Sequence, residues 1–195
     1  ALDMPFVTLG ARIPDVPCVR IDDVAAMPTA VHHLLHQGHE KIAMIAGIED
    51  DRQFGFLSST ARRAGYREAL CSAGLEPRPE LQVAGAFGIE GGARAMAELM
   101  EGPPLPTAVV AEYDELAIGA LRALRQASVA VPGRISVVGM DDHEMASVVD
   151  LTTVAQPVRE LGARAARLLL SLLDGTLEGD VDVVVPTRLV VRGST

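Results

Sequence analysis

The chain has 195 residues, of which 49% are apolar and 22% are charged, the composition of a globular protein with a substantial core. Its formal net charge of −9, with no cluster of basic residues, argues against direct binding to nucleic acid, which is a polyanion. No apolar run approaches the roughly 20 residues of a membrane-spanning helix. The two cysteines, Cys18 and Cys71, are too far apart for a CxxC metal site, so we expect reduced, buried thiols in a cytoplasmic protein.

Strand-like apolar runs alternate with amphipathic helical patterns along the chain. In chain order, the sequence predicts strands at 5–9 and 19–21, a helix at 27–37, a strand at 42–46, a helix at 59–73, a strand at 81–84, a helix at 89–101, a strand at 108–111, a helix at 114–127, strands at 135–140 and 152–154, a helix at 158–173, and strands at 181–185 and 189–191. Such alternation predicts parallel sheets with helices on both faces.

Polar residues follow two of the predicted strands, and ligands in open α/β sheets bind outside the carboxyl ends of strands. Asp141 ends an apolar strand, where its carboxylate could accept hydrogen bonds from the hydroxyls of a sugar or nucleoside, or could cap a turn or the following helix. We interpret Asp142 as a turn residue. Asp114 suits the N-cap position of the helix that follows it, with contact to the cleft as a secondary role.

Six segments, taken together and in order, resemble the effector-binding core of the lactose-repressor family of bacterial transcription regulators. The segments are Gly38–Ala43, Arg62–Tyr66, Pro106–Leu121, Val131–Asp142, Leu151–Pro157 and Leu189–Ser194. The resemblance covers nearly the whole chain and implies a two-lobe, periplasmic-binding-protein-like α/β fold with parallel sheets.

The resemblance also implies a division into lobes. Residues 1–47 and 157–186 would form part of the amino-terminal lobe, and residues 48–156 and 187–195 the carboxy-terminal lobe. The first strands of the amino-terminal lobe and the DNA-binding head are expected to be missing. The partners implied are a sugar-like effector between the lobes, a second copy packed against the helix at 114–127, and operator DNA contacted only through the missing amino-terminal domain; no cofactor, metal or membrane is expected.

Five residues are candidate effector contacts on this resemblance: Asp141, Arg62, Tyr113, Phe87 and Gln156. Tyr113 stands where the family often has asparagine, which predicts a smaller pocket or a stacking ring. Phe87, between Gly85 and Gly88, could stack on a sugar or anchor its loop. Gln156 could contact the ligand or act at the hinge.

Arg62 is a candidate on its own grounds as well. We expect it in the first turn of a helix capped by Ser59 or Thr60, where a cation is unfavourable because the helix amino-terminus carries partial positive charge. The alternative is a surface ion pair with Asp50, Asp51 or Glu68. Arg63 beside it is expected to be solvated.

Four histidines at 32, 33, 36 and 39 resemble a metal cluster, but the residue after His32 is His33 rather than the glutamate of an HExxH motif, so we do not predict a zinc site. Nucleotide-binding and nucleophile motifs are also missing from the sequence. The prediction is a non-enzymatic repressor core. One alternative is a periplasmic-type sugar-binding protein of a transporter; another is an enzyme that uses Asp141, Asp142 or Glu112.

Overall fold

The computed structural model describes residues 4–47, 57–179 and 181–195. The strands are β1 (Thr8–Leu9), β2 (Cys18–Arg20), β3 (Ile42–Ala46), β4 (Gln82–Ala84), β5 (Ala108–Ala111), β6 (Ser136–Asp141), β7 (Thr152–Ala155), β8 (Asp182–Val184) and β9 (Arg188–Val190). The helices are α1 (Asp23–His36), α2 (Ser58–Ser72), α3 (Gly88–Glu101), α4 (Asp114–Gln126), α5 (Glu144–Val148) and α6 (Val158–Leu173). Among the described residues no helix is long and apolar enough to cross a lipid bilayer.

The larger sheet has six strands in the order β4-β3-β5-β6-β7-β9, and only β9 runs antiparallel to its neighbour. Successive residues of β3 face opposite sides, as a pleated strand requires. Ile42 and Met44 pack against α1 and α2, whereas Ala43 and Ile45 pack against α3 and α4. The expected α/β fold with covered parallel sheets is confirmed.

A smaller sheet of three parallel strands, in the order β1-β2-β8, lies against α6. The sequence-based boundary at residue 47 differs from this arrangement. β3 pairs with β4 and β5, and α1 packs on α2, so both α1 and β3 lie in the larger unit. The physical reason is that β3 is buried along its whole length and needs helices on both of its faces.

Helix α1 begins four residues earlier than the sequence predicted. Asp22 is its N-cap, with the side-chain oxygen accepting a hydrogen bond from the Ala25 amide at 3.1 Å. Pro28 therefore lies inside the helix, where it cannot donate to the Val24 carbonyl. That carbonyl lies against Gly65 of α2, where an added Cβ would be only 2.6 Å from it.

The cysteines differ in environment. Cys18 is buried, and its thiol donates to the Ala11 carbonyl at 3.3 Å. Cys71 is exposed at the end of α2, so the expectation of a buried thiol is wrong there.

Helices α3 and α4 pack so closely that their backbone atoms are in direct contact. A Cβ on Gly92 would lie 2.1 Å from the Leu116 carbonyl oxygen, and a Cβ on Gly119 would lie 2.1 Å from the Ile89 carbonyl oxygen. Real Cβ atoms do not approach oxygen so closely, so glycine is required at both positions. This contact fixes the position of α4, whose first residues border the candidate site.

Replacing Gly119 tests this contact. Gly119→Ala should lower the free energy of unfolding by about 1–3 kcal/mol or more, because the helices must separate to accommodate the methyl group. The matched control is Gly162→Ala in α6, where an added Cβ meets nothing within 4 Å. The control should raise stability by roughly 0.5–1 kcal/mol, since alanine is the better helix former. Urea unfolding measures both; equal effects would contradict the close packing.

Candidate functional site

Residues after five neighbouring strands meet at one edge of the larger sheet. Gly47 follows β3, Phe87 follows β4, Tyr113 follows β5, Asp141 ends β6 and Gln156 follows β7. Parallel strands place their carboxyl ends side by side, so a single cleft can be lined from all five. Four of the five predicted contact residues, Phe87, Tyr113, Asp141 and Gln156, therefore lie at one edge, and the fifth, Arg62, reaches it from α2.

Asp141 ends β6, between the ends of β5 and β7. Its Oδ1 accepts a hydrogen bond from the Gln156 side-chain amide, and its backbone carbonyl accepts one from the Gln156 amide at 3.2 Å. Burial raises the pKa of Asp141 to about 7, although the positive charge of Arg62 favours the ionised form. The following helix, α5, is capped by His143 rather than by Asp141. Asp141 can therefore present an acceptor to ligand hydroxyls.

Arg62 is almost fully buried, with 7% of the residue exposed. Its Nε donates to Asp23 Oδ1 at 2.8 Å, and its Nη1 donates to the backbone carbonyl of Glu112. The N-cap of α2 is Leu57, which provides no side-chain cap, so the expected cap at Ser59 or Thr60 is wrong. The ion pair forms with Asp23 rather than with Glu68; Asp50 and Asp51 lie outside the described residues.

Glu112 is a buried carboxylate that joins three elements. Its Oε2 accepts from the Gly47 amide at 2.7 Å, and its Oε1 accepts from Ser59 Oγ at 3.0 Å and Arg63 Nε at 3.4 Å. Burial raises the pKa of the Glu112 carboxyl, while the hydrogen bonds from Gly47 and Ser59 act in the opposite direction. Arg63 also donates to the Gly47 carbonyl at 3.0 Å, so its expected solvation is wrong.

Two aromatic rings border the same edge. The ring centroids of Phe87 and Tyr113 are 5.6 Å apart, with a tilt of 37°. Phe87 is 70% exposed, so it does not anchor its loop as a core residue. Tyr113 lies over Gly47, where an added Cβ would be 2.7 Å from the tyrosine ring. An exposed ring held by a second ring can pack on the apolar face of a sugar or base.

Asp114 and Asp142 have structural roles behind the site. Asp114 is fully buried, and its carboxylate accepts from Thr153 Oγ1 at 2.6 Å and from the His143 amide at 2.7 Å. It therefore ties α4 to β7 and to the turn after β6, so the expected N-cap role is wrong. Burial raises the pKa of Asp114 to about 6. Asp142 occupies a turn with φ of 57° and pairs with Arg192 at 2.6 Å.

Two of the histidines, His33 and His39, contact hydroxyl groups at the amino-terminal edge of the strands, opposite the candidate site. His33 Nε2 lies 2.9 Å from Thr195 Oγ1, and His39 lies 3.1 Å from both Thr107 Oγ1 and Ser136 Oγ. Within the described ranges no group of three or more histidine, cysteine or acidic side chains could hold a metal ion.

Sequence reasoning missed two residues of this site. Asp23 was not singled out, although two consecutive aspartates before a helical pattern are a start signal that could have placed it in the first turn of α1. Glu112 was noted only as a carboxylate at a strand end. Its partners come from β3 and α2, and no local pattern reports such distant contacts.

Comparison with known proteins defines the family. The sequence model for the periplasmic binding protein-like domain matches residues 31–195. The transcriptional repressor CytR of Escherichia coli K12 is 36% identical over 195 residues, covering 98% of this chain and 56% of CytR. The regulator CelR of Thermobifida fusca is 37% identical over 188 residues, covering 95% of this chain and 54% of CelR.

Comparison with solved structures indicates the same family. A CelR–cellobiose complex superposes with a TM-score of 0.88 at 34% identity, covering 98% of this chain and 59% of that one. A LacI-family regulator from Rhodococcus gives a TM-score of 0.87 at 35% identity, covering 98% and 70%. The chain belongs to the periplasmic-binding-protein-like domain family, among the regulators of the lactose-repressor (LacI) family. It spans little more than half the length of the curated relatives that it matches.

The raised pKa of Asp141 gives a pH-dependent prediction. The folded pKa is about 7 and the ordinary value is 3.8, so the folded state retains a proton that the unfolded chain releases. This contribution to stability is present below about pH 4 and is lost as pH rises through about 7. Asparagine cannot ionise, so Asp141→Asn should stabilise the fold more at pH 8 than at pH 5. Urea unfolding at both pH values measures the difference; a pH-independent effect would refute it.

Proposed function

We propose that this chain is the effector-sensing, dimerising core of a cytoplasmic bacterial transcriptional repressor. The observation that carries the proposal is the convergence of Asp141, Gln156, Arg62 and the Phe87–Tyr113 pair at the carboxyl edge of a parallel sheet. Together they offer hydroxyl acceptors, amide and guanidinium donors and an exposed ring, which are the groups that a sugar-like molecule requires. The relative whose structure is titled a cellobiose complex supports a sugar as the effector.

The proposed mechanism is a change between two arrangements of the lobes. Sheet membership and helix packing support a lobe of residues 4–21, 158–179 and 181–186, and a second lobe of 22–47, 57–156 and 187–195. An effector that binds one arrangement better by about 5–150-fold supplies the ~1–3 kcal/mol of coupling that is typical of allostery. Operator DNA would be contacted through a DNA-binding domain outside this chain, as the name of CytR, an HTH-type repressor, implies for that protein.

Other functions are less well supported. The relatives are named as transcriptional regulators, which does not favour a transporter's sugar-binding protein. We propose no catalytic activity. The carboxylates that an enzyme could use are engaged: Glu112 with Gly47 and Ser59, Asp142 with Arg192, and Asp141 with Gln156.

Effector binding can be tested through stability. Thermal unfolding of the full-length protein should be measured with sugars, nucleosides, purines and sugar phosphates, because a ligand at a hundredfold excess over Kd adds about 2.7 kcal/mol. In Arg62→Ala and Asp141→Ala the shift given by the active ligand should disappear while the protein still folds. His32→Ala, outside the cleft, serves as the control and should respond like wild type. A normal shift in either cleft variant would remove that residue from the site.

We further propose a homodimer formed across a groove of about 870 Å³ beside α4. The groove is lined by apolar side chains from three helices, with Ile118 and Leu121 on α4, Ile89 on α3 and Val148 on α5. Val148 is 71% exposed, which is unusual for a valine unless another surface covers it. The residue contributes little to the fold of a single chain.

Val148→Glu tests the dimer because it places a charge in this surface without disturbing a core. We expect the dimer to dissociate at least tenfold more readily in sedimentation equilibrium, since burying an unpaired carboxylate is unfavourable. Leu170→Glu on α6, where the leucine is 60% exposed, should leave the association unchanged. If both variants remain as associated as wild type, the dimer uses another surface.

A further inference from the structure

The positive charge of Arg62 is already balanced within the protein. Its Nε and Asp23 Oδ1 are 2.8 Å apart, and the two side chains are only 9% and 15% exposed. Solvent screens such a sheltered pair weakly, so the carboxylate cancels much of the field that the guanidinium would exert on a ligand. Arg62 also interacts electrostatically with Asp141. The cleft arginine thus has two acidic neighbours.

The numbers of acidic and basic side chains at this edge also indicate that the cleft offers no unbalanced positive charge. Among the described residues that meet there, the carboxyl groups of Asp23, Glu112 and Asp141 outnumber the guanidinium groups of Arg62 and Arg63. A phosphate or carboxylate on the ligand would therefore gain no uncompensated cation in the cleft, because Asp23 already balances the charge of Arg62.

An uncharged polyol, by contrast, matches the hydrogen-bonding groups of the cleft. Its hydroxyls can donate to Asp141 and accept from Arg62, whose contacts with Asp23 and Glu112 use two of the three guanidinium nitrogens. The contacts with Asp23 and with the Glu112 carbonyl together hold the guanidinium in one orientation. Fixing a donor in advance lowers the entropy lost on binding.

We propose that Asp23 is a specificity-determining residue, which neutralises and orients Arg62 so that the cleft selects an uncharged, polyhydroxylated effector over a phosphorylated or carboxylated one. The inference rests on the proposed function, since it concerns the same cleft. It narrows the effector to one chemical class and assigns the selection to a residue on α1 rather than to the groups at the strand ends.

The test is a paired binding measurement on the full-length protein. Calorimetric titrations should compare glucose with glucose 6-phosphate and glucuronate, ribose with ribose 5-phosphate, and cellobiose with cellobionate. We expect an uncharged member to bind at least about 100-fold more tightly than its anionic counterpart, which corresponds to ~2.7 kcal/mol. If the anionic members bind as well or better, the selectivity is wrong while the effector site stands. If no member of any pair binds, the proposed sugar-binding function fails.

Variants then assign the selectivity to Asp23. Asp23→Asn keeps an oxygen acceptor for Arg62 but releases its charge, so the preference for the uncharged member should fall about tenfold. The matched control is Asp22→Asn, which makes the same charge change one residue away, where the side chain contacts the Ala25 amide and asparagine is an equally good cap. An equal fall in both variants would show a general charge effect and overturn the role of Asp23.

Asp23→Glu is the control for a general structural effect at this position, because it retains the negative charge. It should keep wild-type selectivity, with affinity reduced for both members of a pair. A loss of selectivity in Asp23→Glu would mean that neutralisation of Arg62 does not determine the choice. Far-ultraviolet circular dichroism and thermal unfolding confirm that each variant is folded before it is titrated.

Discussion

The buried carboxylate of Glu112 is the contact on which the geometry of the cleft depends. It accepts from the Gly47 amide at 2.7 Å and from Ser59 Oγ at 3.0 Å, so it joins the end of β3 to the first turn of α2 from its own place after β5. Since the backbone carbonyl of the same residue receives Arg62, the register of α2 against the sheet is fixed at the arginine that enters the cleft. A shift of α2 by one residue would break all of these contacts together, and that makes the position of Arg62 well defined.

The three buried acidic residues at this edge share the direction of their pKa shifts but differ in the hydrogen-bond donors around them. The pKa values of Glu112, Asp114 and Asp141 are all raised, and desolvation is the largest cause for each. Glu112 and Asp114 are enclosed by protein donors, which fits a purely structural role. Asp141 has a single side-chain donor, Gln156, among the hydrogen bonds of the described residues, and it remains partly accessible. A ligand hydroxyl can provide the donors that Asp141 lacks, and the ionised form that accepts them is favoured by the nearby charge of Arg62.

The sequence predicted the sheet more reliably than the contacts at its edge. β3 and β5 were placed at their observed bounds because each is a continuous apolar run, which only a doubly covered strand requires. The start of α1 was missed because Pro28 is a typical first-turn residue, yet here Asp22 begins the helix earlier. Helix α5 was missed because five residues are too few to show a helical period.

Side-chain partners were harder to predict than strands, for a physical reason. Asp141 was placed correctly at the carboxyl end of its strand because a position after a parallel strand is set by backbone topology. Gln156, for which the sequence left ligand contact and a hinge role open, follows β7 at the same edge. Arg63 and Asp114 were misassigned because their partners, Glu112 and Thr153, are distant in sequence, and hydrogen bonding between distant residues leaves no local pattern. The same holds for Asp23, whose partner Arg62 is 39 residues away along the chain.

Two residues that hold the ligand-facing groups also lie where the chain passes between the two units. Asp23 follows β2 of the smaller sheet and holds Arg62; Gln156 follows β7 of the larger sheet, directly before α6 of the smaller unit, and holds Asp141. In the proposed mechanism, a change in the relative position of the lobes would first alter the backbone conformation at these chain crossings. If such a change alters the orientation of Arg62 and Asp141, a ligand that fixes both side chains would favour one lobe arrangement by thermodynamic reciprocity. In the proposed mechanism, sensing would then require no relay through the core, because Asp23 and Gln156 lie at the proposed chain crossings.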